Sequence, residues 1–96
     1  MSLSAYIIAY NEAKKIADTI NSVLWADEII VADSASTDET VRIAQDLGAR
    51  VVQIPFHGFG HLRNQAIKAC THEWIFSLDT DEQCTPEVRD EVLMIL

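Results

Sequence analysis

Acidic side chains follow two apolar segments of this 96-residue chain, and they are the residues best suited to do chemistry. Asp33 ends one such segment, and Asp79, Asp81 and Glu82 follow another at residues 73–78. Two carboxylates about 4 Å apart repel by about 4 kcal/mol at an effective dielectric constant near 20, and a divalent cation removes that repulsion. Oxygen ligands of this kind select Mg²⁺ or Mn²⁺ over softer metals. The alternative for the acidic triplet is an ordinary solvated turn before a helix.

The elements that would position these carboxylates alternate along the chain. Four apolar runs are predicted to be buried strands, namely Leu3–Ala9, Glu28–Asp33, Arg50–Ile54 and Glu73–Leu78. A stretch with helical spacing of apolar residues follows each run, so the pattern is β-α-β-α-β-α-β-α. This pattern indicates an α/β fold, a Rossmann-like open parallel sheet of about four strands with helices on both faces. Ligands bind beyond the carboxyl ends of such strands, so the acidic residues are expected to meet at one edge.

Capping residues predict where the first two helices begin and end. Asn11 is predicted to be the N-cap of the first helix, whose apolar stripe extends to Leu24. Ser36 and Glu39 have the spacing of a capping box and predict the start of the second helix. Gly48 is predicted to end that helix in a left-handed conformation.

The last helix is predicted to begin at Thr85, with Pro86 at its first position. Its apolar stripe is expected to include Val88, Val92 and Ile95. The helix continues to Leu96 without a stop signal and ends on four apolar residues. Two interpretations stay open: a terminal helix packed on its own sheet, or a fragment of a longer chain whose missing part completes the core. An exposed C-terminal helix would also offer a contact for a second copy.

Composition excludes several classes of protein. The net charge of −8 disfavours nucleic acid as a partner, because nucleic-acid binding depends on neutralising phosphates. It also disfavours electrostatic docking on anionic lipid. No apolar run approaches the about 20 residues that span a bilayer. Cys70 and Cys84 lack CxxC spacing, so we expect two reduced thiols of a cytosolic protein.

Two further residues suggest ligand contacts, each with a structural alternative. Tyr10 follows the first strand, where it could stack on a nucleobase or close the edge of the core. Arg63 could meet a phosphate at the acidic edge or pair with a carboxylate. His57, His61 and His72 share no metal-binding spacing, which argues against a zinc site.

Four motifs resemble the family 2 glycosyltransferases of GT-A fold. They are Tyr10-Asn11-Glu12, the run from Asp33 to Thr40 that matches Asp-x-x-Ser-x-Asp-x-Thr, Arg63-Asn64, and the DxD motif Asp79-Thr80-Asp81. Together they cover residues 3–90 in the order and spacing of that family. The segments 25–28 and 58–60 further resemble the branch that adds sugars to the inner core of lipopolysaccharide. The sequence departs from the family in having Ala35 and Glu39 where Gly is common, and Ile8-Ala9 where Pro is common.

The resemblance implies that residues 1–96 are the N-terminal, nucleotide-sugar-binding part of an inverting glycosyltransferase. The implied donor-binding residues are Ala9, Tyr10, Glu12, Asp33, Arg63, Asp79 and Asp81. Tyr10 would contact the nucleobase, Asp33 would accept a hydrogen bond from the uracil N–H, and Asp81 would hold Mg²⁺ or Mn²⁺ on the diphosphate. No catalytic residue is assigned, since the general base and the acceptor site are expected beyond Leu96. The 96 residues alone are therefore expected to be inactive.

The resemblance also implies partners and a location. The donor would be a UDP-sugar, and the acceptor a glycan or a lipid-linked sugar such as lipopolysaccharide, bound through the missing half. The parent enzyme would be cytoplasmic, with at most peripheral association with the inner membrane of a bacterium.

Two other classes stay open on the residues alone. A non-enzymatic, receiver-like signalling module also gathers Asp at strand ends around Mg²⁺, but it would need paired acids after the first strand and a Lys at a late strand end. A sugar nucleotidyltransferase would show a Gly-rich loop after the first strand, and none is present.

Overall fold

The computed structural model describes residues 2–80 and 82–96, which form four strands alternating with four helices. The elements are β1 (Leu3–Ala9), α1 (Ile16–Asn21), β2 (Glu28–Asp33), α2 (Thr40–Asp46), β3 (Arg50–Gln53), α3 (Phe59–Ala69), β4 (Trp74–Asp79) and α4 (Pro86–Ile95). The alternation predicted from the apolar runs is confirmed, but the prediction that all four strands are buried is wrong for β3 and β4, which lie at the edges of the described sheet and have mostly exposed or half-buried side chains. Among the described residues, no helix is both long enough and apolar enough to cross a membrane.

The four strands form one parallel sheet in the order β3-β2-β1-β4. Ala9 of β1 lies beside Asp33 of β2, and Ile8 lies beside Asp79 of β4. Because neighbouring strands are about 4.8 Å apart, the backbones of Asp33 and Asp79 are separated by about 10 Å at the same edge. The expected convergence is therefore confirmed for these two residues, while Asp81 lies outside the described residues.

Side chains of the sheet alternate between two apolar layers. On one face, Ile7 and Val31 are buried together with Ile16 and Ile20 of α1 and Ala44 of α2. The helix α4 packs against this same layer. The central strand β1 is covered on both sides, which explains why its sequence is a continuous apolar run.

The opposite face of the sheet is covered by α3. Leu62 and Ala66 of this helix pack against Tyr6, Ile30 and Ala32 of the sheet. Helices on both faces were expected from the sequence, and the two separate clusters confirm that expectation.

The predicted start of the first helix is wrong. Asn11 does not cap α1, which begins at Ile16. The backbone of Asn11 has φ 50°, and its side-chain Oδ1 accepts a hydrogen bond from the backbone N–H of Thr37 at 2.8 Å. The side chain of Asn11 therefore bonds to the loop after β2, which is distant in sequence, and not to the N-terminus of α1. Leu24 lies beyond the helix and is 55% exposed, so it is not part of the apolar stripe.

The predicted capping box at the second helix is also wrong. Helix α2 begins at Thr40, and Glu39 in the capping position makes no side-chain hydrogen bond to the helix end. The hydroxyl of Ser36 donates to the carboxylate of Asp33 instead. Asp38 takes over at the helix start, where its Oδ1 accepts from the backbone N–H of Thr40 at 3.0 Å. Several short polar side chains in this turn can bond to the same backbone groups, and each bond forms with the nearest side chain.

Two other helix ends are confirmed. Gly48 follows α2 with φ 92°, a conformation that costs residues with a Cβ about 1–2 kcal/mol. At α4, the side-chain oxygen of Thr85 accepts from the backbone N–H of Val88 at 3.2 Å, and Pro86 occupies the first turn. Both ends depend on contacts within a few residues.

The predicted apolar stripe of α4 is only partly buried. Val92 and Leu96 pack against the core, whereas Val88 is 39% and Ile95 67% exposed. Helix α4 therefore contacts its own sheet and still presents apolar side chains to solvent.

The opposite, amino-terminal edge of the sheet is held by Glu28. Its Oε1 accepts from the Ser4 hydroxyl at 2.8 Å and from the Thr71 backbone N–H at 3.0 Å, while Arg50 lies 3.6 Å from its Oε2. Burial opposes ionisation of Glu28, but the hydrogen bonds and the charge of Arg50 outweigh it, so the pKa of this carboxyl lies below its ordinary value.

Both cysteines are unpaired thiols, as predicted. Burial raises the pKa of the Cys70 thiol and, likewise, the pKa of the Cys84 thiol. Neither is therefore activated as a thiolate at neutral pH.

Candidate functional site

The loops after β1 and β2 are joined by hydrogen bonds between side chains and backbone. The backbone N–H of Asn11 donates to the Ser36 hydroxyl at 2.8 Å, and Asn11 accepts from Thr37 in return. At the base of the two loops, the backbone N–H of Ser34 donates to the carbonyl of Ala9 at 3.1 Å. The motif residues after the first two strands thus fix the two loops against each other.

A second pair of contacts places Glu12. Its backbone N–H donates to the Thr40 hydroxyl at 2.9 Å, and the next N–H, of Ala13, donates to Asp38 Oδ2 at 3.2 Å. Asp38 is also hydrogen-bonded by the hydroxyl and the backbone N–H of Thr40, and these donors hold the pKa of its carboxyl below the ordinary value. Asp38 and Thr40 therefore connect the start of α2 to the segment that carries Glu12.

Asp33 lies beneath these loops and is fully buried. Its Oδ2 accepts from the backbone N–H of Ser36 and from Nε2 of Gln53, both at 2.9 Å. The Ser36 hydroxyl donates to the other oxygen. The carboxylate thus organises the turn after β2, and a ligand can reach it only if a covering side chain moves.

An apolar pocket of about 460 Å³ opens beside the ends of β1 and β2. It is lined by Ile8, Ala9, Tyr10, Ser34, Phe56, Phe59 and Leu62. Three of these side chains are aromatic and more than half exposed, namely Tyr10, Phe56 and Phe59. Phe56 and Phe59 pack edge to face with ring centroids 5.2 Å apart. Exposed rings around a cavity favour a flat, partly apolar ligand. Tyr10 therefore lies at the pocket and does not close the core.

The turn after β4 carries the DxD motif. Asp79 is exposed at the strand end, and its carbonyl accepts from the backbone N–H of Glu82 at 2.9 Å. The Glu82 side chain accepts from the Asp79 N–H at 3.1 Å. Asp81, the predicted metal ligand, lies outside the described residues. Among the residues that are described, no group of three or more His, Cys, Asp or Glu side chains is placed to hold a metal ion.

Thr19 of α1 anchors this turn. Its buried hydroxyl lies 3.1 Å from the Thr80 carbonyl oxygen and 3.2 Å from that of Glu82. Sequence reasoning did not select Thr19, although a polar residue between the buried residues Ile16 and Ile20 was a signal. The contact fixes the backbone on either side of residue 81.

Arg63 is exposed on α3, near the end that faces the site. Within residues 2–80 and 82–96, no carboxylate forms an ion pair with its guanidinium, so the salt-bridge alternative is not observed. The rings of His57 and His61 pack against each other with centroids 5.3 Å apart. Among the described residues, no third metal-binding side chain lies with them.

The sequence matches the family model described as "Glycosyl transferase family 2" over residues 4–94. An uncharacterised glycosyltransferase of Rickettsia felis is 46% identical over 91 residues, which cover 94% of this chain and 32% of that protein. The lipopolysaccharide core biosynthesis glycosyltransferase LpsC of Rhizobium meliloti is 33% identical, covering 94% of this chain and 35% of that protein. The chain thus spans about a third of the length of these curated relatives.

Solved structures agree with the observed fold. The S. aureus TarS structure superposes with a TM-score of 0.81 at 29% identity and covers 99% of this chain and 32% of that one. Glucosyl-3-phosphoglycerate synthase of Mycobacterium tuberculosis, in complex with Mn²⁺, UDP and glucosyl-3-phosphoglycerate, gives a TM-score of 0.72 at 32% identity, covering 82% of this chain and 33% of that one. The parallel sheet with its helices is therefore shared with these two proteins.

Proposed function

Because the chain belongs to glycosyl transferase family 2, we propose that it forms the donor-binding part of an inverting glycosyltransferase. The observation that carries the proposal is the shared edge: the pocket at Tyr10 and the acidic end of β4 lie side by side at the carboxyl ends of the strands. Membership of this family argues against the two alternatives, a signalling module and a sugar nucleotidyltransferase.

The pocket is proposed to take the base of a UDP-sugar. A base stacked on an aromatic ring gains about 1–3 kcal/mol, and the exposed ring of Tyr10 offers such a surface. UDP is the nucleotide bound to the mycobacterial synthase of similar fold, which supports this choice of base. Ala9, Glu12 and Asp33 are proposed to shape the nucleoside end of the site.

The diphosphate is proposed to lie toward β4 and α3. Asp79 exposes a carboxylate there, and Arg63 exposes a guanidinium that can meet a phosphate. The oxygen donors of the DxD motif suit Mg²⁺ or Mn²⁺ by their chemistry, and Asp81 is the proposed ligand. A cation at this position stabilises the negative charge that develops on the departing diphosphate.

The acceptor site and the general base are proposed to belong to the rest of a longer protein, in line with the third of the relatives' length that this chain spans. Inverting transfer needs a base to take the proton of the acceptor hydroxyl. The similarity to LpsC supports a glycan or lipopolysaccharide acceptor. A cytoplasmic enzyme, associated at most peripherally with the membrane, fits such an acceptor, and the exposed part of α4 is proposed as a contact for the remaining chain or a second copy.

Thermal unfolding with UDP and a divalent metal tests the donor site. At UDP concentrations ten times the dissociation constant, bound ligand stabilises by about 1.4 kcal/mol, which raises the Tm by about 6–11 °C for a domain of this size. We expect this shift only with Mg²⁺ or Mn²⁺, and we expect Asp81→Ala to abolish it. Asp90→Asn, an exposed acid on α4, is the matched control. A metal-independent shift that persists in Asp81→Ala would refute the assignment.

Kinetics of the longer protein test the nucleoside end. Asp33→Ala removes the acceptor of three hydrogen bonds at the turn beside the pocket and is expected to raise the donor KM or lower kcat/KM. Unchanged kinetics would remove Asp33 from the site.

A further inference from the structure

Charged residues are distributed unevenly along the chain. Residues 47–72 contain none of the 15 Asp and Glu residues, but they contain three of the seven Lys and Arg residues and all three His residues. This segment therefore carries a net charge of +3, and the rest of the chain carries −11. In the fold, the segment includes α3, which covers one face of the sheet, while α1, α2 and α4 pack on the other face. The basic charge thus lies on the α3 side of the molecule.

The outer side of α3 combines cationic and apolar side chains. Arg63 and Lys68 are exposed there, and within residues 2–80 and 82–96 neither forms an ion pair with a carboxylate. Ile67 lies between them around the helix, which turns about 100° per residue, and it is 38% exposed. Phe59, at the start of α3, is 69% exposed. We call these four side chains the α3 surface.

We propose that the α3 surface docks the protein on an anionic lipid membrane. Helices that lie at a membrane interface combine Lys or Arg, which approach the lipid phosphates, with apolar side chains that enter the headgroup region. The inference rests on the peripheral association included in the proposed function, and it adds the face and the class of lipid. Phe59 also lines the pocket at the strand ends, so a membrane on this surface borders the proposed donor site. A lipid-linked acceptor would have to arrive at that place.

The net charge of −8 does not prevent this contact, although by itself it predicts repulsion from anionic lipid. Salt screens charges over about 8 Å at physiological ionic strength. The smallest extent of the molecule is 19 Å, more than two such lengths. Acidic side chains on the face opposite α3 are therefore screened from a membrane, and the charge of the nearest face decides the interaction.

The apolar side chains of α4 are a poorer match for anionic lipid. Met94 is 84% exposed and Leu93 48%. However, α4 (Pro86–Ile95) contains three acidic residues and one Arg, so anionic lipid repels it. The α3 surface is in turn a poor match for nucleic acid, because strong electrostatic binding takes about 6–10 phosphate contacts and this surface has two cations.

Co-sedimentation of the 96-residue chain with lipid vesicles tests the proposal. Vesicles with equal amounts of phosphatidylglycerol and phosphatidylcholine should bind the chain, more weakly as salt is added, and phosphatidylcholine alone should bind it less. Lys68→Gln removes one cation from the α3 surface and should lower the partition coefficient about fivefold. Ile67→Ser should also lower it about fivefold, because less apolar area is buried. Lys14→Gln, the same change at an exposed position before α1, should bind like the wild type.

NMR of the wild type locates the contact without any substitution. In bicelles of the same anionic composition that contain a spin-labelled lipid, the amide signals of α3 (Phe59–Ala69) should broaden more than those of α4. This measurement decides the proposal even if a variant does not fold.

Equal binding to both kinds of vesicle, or to neither, contradicts the inference. Unchanged binding by Lys68→Gln, or an equal loss for Lys14→Gln, would show that the α3 surface does not set the affinity. Stronger broadening along α4 would assign the contact to that helix. Binding of an RNA homopolymer that is tighter than vesicle binding and depends on Lys68 would assign the surface to nucleic acid. Because no nucleotide is present, each of these results leaves the donor-site proposal untouched.

Discussion

Replacing Ser36 by Ala is expected to destabilise the fold because one hydroxyl joins the first two loops of the site. The Ser36 Oγ accepts from the Asn11 backbone N–H at 2.8 Å and donates to the buried carboxylate of Asp33. A hydrogen bond between neutral groups contributes about 0.5–1.5 kcal/mol, and one to a charged group about 1.5–3 kcal/mol. Ser36→Ala should therefore lower the free energy of unfolding by about 2–4 kcal/mol.

Urea denaturation followed by circular dichroism measures this loss directly. The midpoint should fall without a change of slope, because the surface exposed on unfolding stays the same. In thermal unfolding, the corresponding decrease of the Tm is at least about 8 °C for a domain of this size. Ser77→Ala, the same change at an exposed position of the edge strand β4, should stay within about 0.5 kcal/mol of the wild type.

A double-mutant cycle separates the Asp33 contact from other effects. Ser36→Ala and Asp33→Asn should show a coupling energy of about 1 kcal/mol or more, because the two side chains are in direct contact. A loss below about 0.5 kcal/mol for Ser36→Ala, or a coupling energy near zero, would contradict the role assigned to this hydroxyl.

Further substitutions test three other features of the structure by their unfolding free energies. Gly48→Ala should cost about 1–2 kcal/mol at φ 92°, whereas Ala35→Gly at φ 57° should gain about 0.5–1 kcal/mol, and opposite signs would refute the backbone assignment. Thr19→Val should cost about 1–3 kcal/mol because it removes the single hydroxyl proton that the carbonyl oxygens of Thr80, Glu82 and Lys15 share, while Thr19→Ser keeps the hydroxyl and should lose less. Because the pKa of Glu28 is lowered in the folded state, its ionised carboxylate stabilises the fold above the ordinary pKa, and this stabilisation is lost as the pH falls below about 4. Glu28→Gln should therefore reduce the decrease in unfolding free energy at acid pH. An unchanged decrease would contradict the role of Glu28.

The strands and their parallel direction, though not their order in the sheet, could be predicted because the sequence signals are local and redundant. The run Leu3–Ala9 is apolar throughout, and only a strand covered on both faces needs that pattern. Gly48 and Thr85 were equally predictable, since each ends or begins a helix through contacts within a few residues. The shared edge of Asp33 and Asp79 then followed from parallel strands alone.

The partners of the polar side chains could not be predicted in the same way. Asn11 and Ser36 carry strong local helix-capping signals, yet each bonds to a residue outside its own predicted cap. Gln53 and Thr19 were not selected at all, because their contacts join residues 20 and about 60 positions apart.

The sequence by itself determined which segments become strands and helices and which ends carry acids, because hydrophobic periodicity acts over a few residues. Only the tertiary structure decided that Asp33 is covered by Gln53 and that the loops after β1 and β2 are joined, because the order β3-β2-β1-β4 sets which strand ends become neighbours. A polar side chain at a strand end takes the nearest donor or acceptor, and which group is nearest depends on the assembled sheet.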